Sequence, residues 1–193
     1  MSKIQQFYKK TFHVRDPDVL RRLAEASDLI TCDKGTFLLE PDEDQKDILF
    51  LLNGRVRGYD IDEDGRDITL RFAYKPGTLL VDGIGIIGLS SVYWESLSRS
   101  ELIRLPRKTL KTLMAENVEL NQLAELALAD LFREAGELQC ALVTMQAKDR
   151  YLWFLEHDPD FPRDIPLKYV ATYLGMLPQT LSQIRGTLKG KVI

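Results

Sequence analysis

Cysteine and histidine are scarce, catalytic signatures are missing and no long apolar run occurs; each shortage removes a class of function. The two cysteines, Cys32 and Cys140, lie far apart without C-x-x-C spacing. That argues against a zinc site, an iron–sulfur cluster built on cysteines or a disulfide framework, and both read as small apolar residues of the interior. The two histidines, His13 and His157, stand at opposite ends of the chain, so a metal triad of clustered histidines has nothing to build from; each reads as a surface or packing residue. No G-x-S-x-G, H-E-x-x-H or Cys/His arrangement is present, which removes the familiar hydrolases. Gly83, Gly85 and Gly88 sit among Ile84, Ile86, Ile87 and Leu89 without the G-x-x-x-x-G-K-[ST] pattern, so they read as an apolar turn and not as a phosphate loop. Asp42, Glu43 and Asp44 read as a solvated loop. The chain is expected not to be an enzyme, and no cofactor or metal is expected. No run approaches the roughly 18 apolar residues of a membrane span, and Met1–Thr11 lacks the apolar core of a signal peptide. A cytoplasmic location without a membrane partner is the expectation.

What is present suits a well-cored globular protein, with 45% hydrophobic residues in 193. The net charge of −3 argues against nucleic acid until its distribution is considered. From Ile165 to Ile193 the charged residues are Lys168, Arg185, Lys189 and Lys191, with no acid among them. A local basic surface is what phosphate binding needs, because lysine and arginine release condensed counterions at the backbone.

Three regions follow one another. Met1–Leu29 reads as helical, with Ile4, Phe7, Leu20 and Leu23 apolar and Asp16-Pro17 as a break or helix start. From Ile30 to about Pro106 the period shifts toward strands, punctuated at Asp33-Lys34-Gly35, Asn53-Gly54 and Glu63-Asp64-Gly65. The run ILFLLNGRVRGYDIDEDGRDITLRF predicts successive antiparallel strands, and Asn53-Gly54 predicts a type I′ hairpin. A compact barrel or roll is the expected result. After Pro106 the pattern is helical, and neither proline nor a turn cluster interrupts Asn117 to about Met145. One helix of about 43 Å is predicted there. Ala124, Leu128, Leu131, Ala135, Leu138, Leu142 and Met145 recur at alternating steps of four and three, the spacing of a coiled-coil seam. Leu123, Leu126 and Ala127 widen the stripe, as in a helix touching both its own roll and a second copy; burial wholly within its own monomer is the alternative. Gln146 to His157 is helical too, with an apolar block from Tyr151 to Leu155, until Asp158-Pro159 and Phe161-Pro162 stop it.

The segment PLKYVATYLGMLPQTLSQIRGTLK, Pro166 to Lys189, then fits two short helices across a tight turn. Val170, Leu174, Met176, Leu181 and Ile184 supply a shared core, Ala171 and Gly175 keep the inside of the bend small, and Gly175 suits a positive φ. With the second helix starting near Pro178, Gln179, Thr180, Gln183 and Arg185 face outward toward a major groove. An ordinary helical hairpin is the alternative.

Leu51-Leu52-Asn53-Gly54-Arg55-Val56, Asp64-Gly65, Pro76-Gly77 and the stretch YLWFLEHDPDFPRDIPLKYVATYLGMLPQTLSQIR, in this order, resemble the CRP/FNR superfamily of bacterial transcription regulators over nearly the whole chain. The resemblance implies an α+β fold: an antiparallel β-roll sensor with N-terminal helices over 1–116, a dimerisation helix over 117–145 and a helix-turn-helix domain over 146–193. It further implies a homodimer that binds a near-palindromic site on double-stranded DNA, engages RNA polymerase and answers to a small molecule in the roll. A ligand-sensing or interaction protein that keeps the tail only as a dimer scaffold is the competing reading.

Against the family pattern, two places differ. Cyclic-nucleotide-binding relatives carry a Gly-Glu pair for the ribose and, later, an arginine for the cyclic phosphate. Here Val81-Asp82 stands where Gly-Glu would lie and Ser91, Val92 and Tyr93 near the arginine, while Arg99 lies too far along. Asp82 is one methylene shorter than glutamate, and a buried phosphate would lose its charge-assisted partner. Cyclic AMP is therefore not the expected effector; a less charged ligand held by Asp82, Ser90, Ser91 and Tyr93 is one expectation, an empty structural roll the other. In the helix-turn-helix, relatives have Ser or Thr capping the second helix and an acidic residue soon after. This chain has Leu177-Pro178-Gln179-Thr180, so the side-chain cap is lost while Pro178 still suits the first turn. Gln179 and Gln183 are the candidate base readers, since glutamine pairs bidentately with adenine. Thr180, Ser182, Arg185 and Lys189, with Lys168 and Tyr169 on the first helix, are assigned to phosphate positioning.

Overall fold

The structure, a computed structural model, describes residues 1–81 and 90–188. They fall into two compact units, one of residues 1–58, 72–81 and 90–132, the other of 59–71 and 133–188. In chain order the elements are α1 (Lys3–Thr11), α2 (Pro17–Ala26), β1 (Asp28–Cys32), β2 (Phe37–Leu39), β3 (Asp47–Asn53), β4 (Val56–Ile61), β5 (Asp67–Ala73), β6 (Tyr93–Ser96), β7 (Ser100–Pro106), α3 (Arg107–Glu116), α4 (Val118–Thr144), α5 (Ala147–His157), α6 (Leu167–Tyr173) and α7 (Pro178–Leu188).

Local chemistry starts the first helices. Ser2 and Gln5 form a reciprocal capping box ahead of α1, and Asp16 accepts from the amides of Asp18 and Val19 with Pro17 in the first turn of α2. The strands make two sheets, ordered β1-β7-β3 and β2-β6-β4-β5. Strand β3 explains how both are held. Its residues Ile48 and Phe50 point into a cluster with Phe7, Tyr8, Leu23 and Leu105, whereas Leu49 and Leu51 point into one with Leu80, Trp94 and Leu102. A period of two with both faces covered yields the continuous apolar run ILFLL.

Two expectations are corrected. Asn53-Gly54 is not a type I′ hairpin: Gly54 alone has positive φ, +112°, and β3 and β4 belong to different sheets, so the chain crosses from one to the other at this step. At this crossing the Arg55 amide donates to the Oγ atoms of Ser98 and Ser100, at the start of β7, at 3.0 and 3.2 Å. Cys140 is not interior; Cys32 is buried, but Cys140 lies on the solvent side of α4. Among the described residues no helix is long and apolar enough to cross a membrane, and no group of three His, Cys, Asp or Glu side chains is placed to hold a metal ion.

Candidate nucleic-acid interface

In the second unit α6 ends in a backbone motif that fixes the direction of α7. The Met176 amide donates to the Ala171 carbonyl and the Gly175 amide to that of Thr172, both at 3.0 Å, with Gly175 at φ +60°. This is a Schellman turn, and its left-handed residue explains the glycine. Val170, Ala171, Leu174 and Leu181 are buried around it, joined by Tyr151, Phe154 and Ile165. Met176 and Ile184, expected in the same core, are half-buried.

On α7 the buried side is Leu181, while Gln179, Ser182, Gln183 and Gly186 are exposed. Their spacing of three, four and seven puts them on one helix face. Pro178, Thr180 and Arg185 flank it half-buried. On α6 Lys168 is exposed, its Nζ 4.7 Å from the centre of the half-buried Tyr169 ring. Lys189 lies outside the described residues. Gly186 was not a sequence candidate. It has open space where a side chain would be, so the helix backbone itself is accessible on the outward face, at the usual cost of a glycine in a helix, about 1 kcal/mol against alanine.

Arg150 is a second residue to which the sequence pattern did not point. Although charged, it is buried in α5. Its guanidinium donates to four carbonyls: Leu142 at 3.3 Å and Met145 at 2.8 Å, where α4 ends, and Leu174 at 2.6 Å and Gly175 at 3.3 Å, in the Schellman turn. Carbonyls at helix ends carry partial negative charge and lack intrahelical donors. One planar, always-charged fork thus satisfies the ends of two helices at once. A Cβ on Gly175 would come within 2.9 Å of Leu142 Cδ2, so glycine also permits the turn to close on α4. Residues 59–71, the end of β4, the turn after it and most of β5, belong to this unit as well. The Thr69 amide donates to Thr172 Oγ1 at 3.1 Å. Arg71 lies in the field of Glu134 and Tyr173, with burial drawing its pKa down. Burial, chiefly, pushes the Tyr173 phenol up to about 12, with Asp158 and Glu134 adding to the rise.

Residues 29–117 match the family described as Cyclic nucleotide-binding domain. The fold is similar to FixK2 from Bradyrhizobium japonicum, with TM-score 0.75 at 18% identity over 86% of this chain and 85% of that one. It is also similar to CLP, a c-di-GMP-responsive global regulator from Xanthomonas campestris, with TM-score 0.73 at 14% identity over 91% and 92%. A transcriptional regulator of the CRP/FNR family from Eubacterium rectale gives TM-score 0.69 at 16% identity over 95% and 88%. Residues 29–117 are thus similar to that domain family, and the fold is the one these regulators share. None of the curated proteins matches its sequence.

Within residues 29–117 the candidate effector residues do not form one described cluster. Asp82 lies outside the described residues. Ser90 is buried and its hydroxyl donates to the Val92 carbonyl at 2.8 Å; Ser91 is exposed, and Tyr93 packs edge-on against Phe37, 6.2 Å between centres. A buried cation that sequence reading missed lies on the same sheet: Arg57, 3% exposed, meets Glu95 Oε2 through Nε and Nη2, both at 3.0 Å. The pair ties β4 to β6.

The seam residues of α4 divide in the CRP/FNR fold. Ala124 and Leu128 line a cavity on the inner side, and Leu131 packs against the first core cluster. Ala135 and Leu142 are exposed, while Leu138 and Met145 are half-buried. Phe132, one turn beyond Leu128, is 64% exposed and Val143 is 79% exposed. Phe132, Ala135 and Leu142 therefore mark an outward apolar stripe, rotated from the predicted one yet sharing Ala135 and Leu142 with it.

Proposed function

We propose that the chain is a dimeric, sequence-specific DNA-binding transcription regulator of the CRP/FNR type, with residues 1–116 as sensor, 117–145 as dimerisation helix and 146–193 as DNA-binding domain. The observation that carries the reading is the outward face of α7, where Gln179, Ser182, Gln183 and Gly186 are exposed on a helix anchored by the buried Leu181. The surrounding charge supports it, since 165–193 contains lysine and arginine but no acid. The effector is a small molecule other than cyclic AMP, because Asp82 is one methylene shorter than the ribose-binding glutamate and Ser91, Val92 and Tyr93 stand near the place of the phosphate-binding arginine. RNA polymerase is the further partner, and the site of action is the cytoplasm.

Selection of the full chain on a random duplex library tests this directly. A near-palindromic site is expected to enrich. Gln179→Ala should lose discrimination at one symmetric base pair by about 1–3 kcal/mol, roughly 5- to 150-fold, whereas Arg185→Ala should weaken all sequences alike and lower the salt slope by about 1. A folded dimer that enriches nothing returns the chain to the competing reading of a ligand-sensing or interaction protein. Dimerisation has its own test: Phe132→Asp puts a charge on the outward stripe of α4 and is expected to raise the dimer dissociation constant at least tenfold, about 1.4 kcal/mol, in sedimentation equilibrium. An unchanged dimer would remove Phe132 from the interface.

A further inference from the structure

The first unit carries a half-open pocket of about 100 Å³ beside the sheet β1-β7-β3, on the helix side and away from the interior cluster around Trp94. Phe50 and Leu79 floor it, Tyr8 and Met114 wall it, and Ala124, Ala127 and Leu128 of α4 border it. Its surface is almost wholly apolar. Tyr8 supplies a hydroxyl, and that group is engaged: Ser27 Oγ lies 2.8 Å from it and itself donates to the Leu23 carbonyl, so the phenol is the donor to Ser27. A water molecule needs two or more polar partners, and none is offered here, so the lining suits an apolar occupant such as benzene.

The two alanines make the space. Elsewhere along this stretch α4 presents Leu120, Leu123 and Leu128 to the same region, and a leucine at 124 or 127 would fill it. Interiors are close-packed, so an unfilled pocket of this size beside tightly clustered aromatic rings is uncommon. We propose that this cavity is a binding site for a small, uncharged, apolar molecule of about six to eight heavy atoms, distinct from the interior of the roll. Leu128 borders the pocket one turn before the exposed Phe132, so the pocket adjoins the helix proposed to join two copies. Any coupling to DNA affinity rests on the proposed function; the site itself does not.

Benzene is the probe, titrated into the full chain without DNA while methionine methyl resonances are followed. Met114 borders the cavity whereas Met145 and Met176 belong to the other unit, so the expected result is a saturable shift of Met114 with those two unmoved. Ala124→Leu and Ala127→Leu should each weaken binding by about tenfold or more. The wild-type titration decides even where both variants misfold: no saturable shift at Met114, or equal shifts at all the methionines, overturns the site. Benzene that binds only after dissociation to monomers overturns it too, because a second copy then fills the opening. If benzene binds and raises the melting temperature but no duplex is enriched in the library selection, the site stands and the regulator reading fails.

Discussion

Replacing Arg150 with methionine is expected to cost the second unit about 3–5 kcal/mol, the range seen when one side of a buried charged hydrogen-bonding group is removed. The variant fills much of the same volume, so lost packing contributes little. What remains is four carbonyls, those of Leu142, Met145, Leu174 and Gly175, facing an apolar side chain. Each buried carbonyl left without a donor costs about 1–3 kcal/mol, and the total is smaller than the sum because the turn relaxes. Urea unfolding followed by hydrogen exchange is the measurement. Protection should fall in 133–188 and hold in 1–58. Arg150→Lys should recover only part of the loss, since one ammonium does not span four acceptors in a plane. A change under about 1 kcal/mol would mean that water replaces the guanidinium, and the clasp would then be incidental.

Arg150 also shows where sequence reading loses its grip. It stands just before an apolar block, and neither Gln146, Ala147, Trp153 nor Phe154, its neighbours at three and four residues, is acidic. An arginine without a helical ion-pair partner beside buried positions was the available signal, but its acceptors are backbone carbonyls up to 25 residues away, which no side-chain pattern announces. The helices themselves were legible, because a 3.6-residue period, proline and glycine are local signals. The turn at Gly175 was legible for the same reason. Asn53-Gly54 misled for the opposite reason: its dipeptide favours a hairpin, yet the partner of β3 is β7, about fifty residues on, and pairing topology overrode turn propensity. On α4 the heptad fits two neighbouring faces, and only exposure distinguishes Leu131, turned inward, from Phe132, turned outward. On α7 the exposure of Gln179 and Gln183 was readable, whereas Thr180 and Arg185, expected outward, are half-buried, and Gly186 was missed because a glycine carries no side-chain donor or acceptor to suggest it.

Trp94→Ala is the counterpart in the first unit, where the interior of the roll depends on one large side chain. Trp94 is fully buried among Leu49, Leu51, Leu80 and Leu102. Its ring carbons lie 3.2 Å from where a side chain on Gly58 would begin, so β4 passes close over the indole. Truncation removes the ring from between the two sheets, and neighbouring strands tied by backbone hydrogen bonds collapse only partly into the gap. The expected loss is about 3–5 kcal/mol, as for other buried aromatic residues cut to alanine. Fluorescence separates the two units conveniently, because Trp94 and Trp153 are the two tryptophans and each belongs to a different one. Trp94→Ala leaves Trp153 as the reporter, and Trp153→Phe leaves Trp94. In the first, hydrogen exchange should quicken across β3, β6 and β7 with the turn at Gly175 still protected. Trp94→Phe should cost roughly half as much as Trp94→Ala, since it keeps apolar area without the full ring volume. If Trp94→Ala unfolds at nearly the wild-type urea midpoint, the roll is held by its hydrogen-bonded sheets and the helix-side cluster of Phe7, Phe50 and Leu105, and the interior is soft enough to open around a ligand.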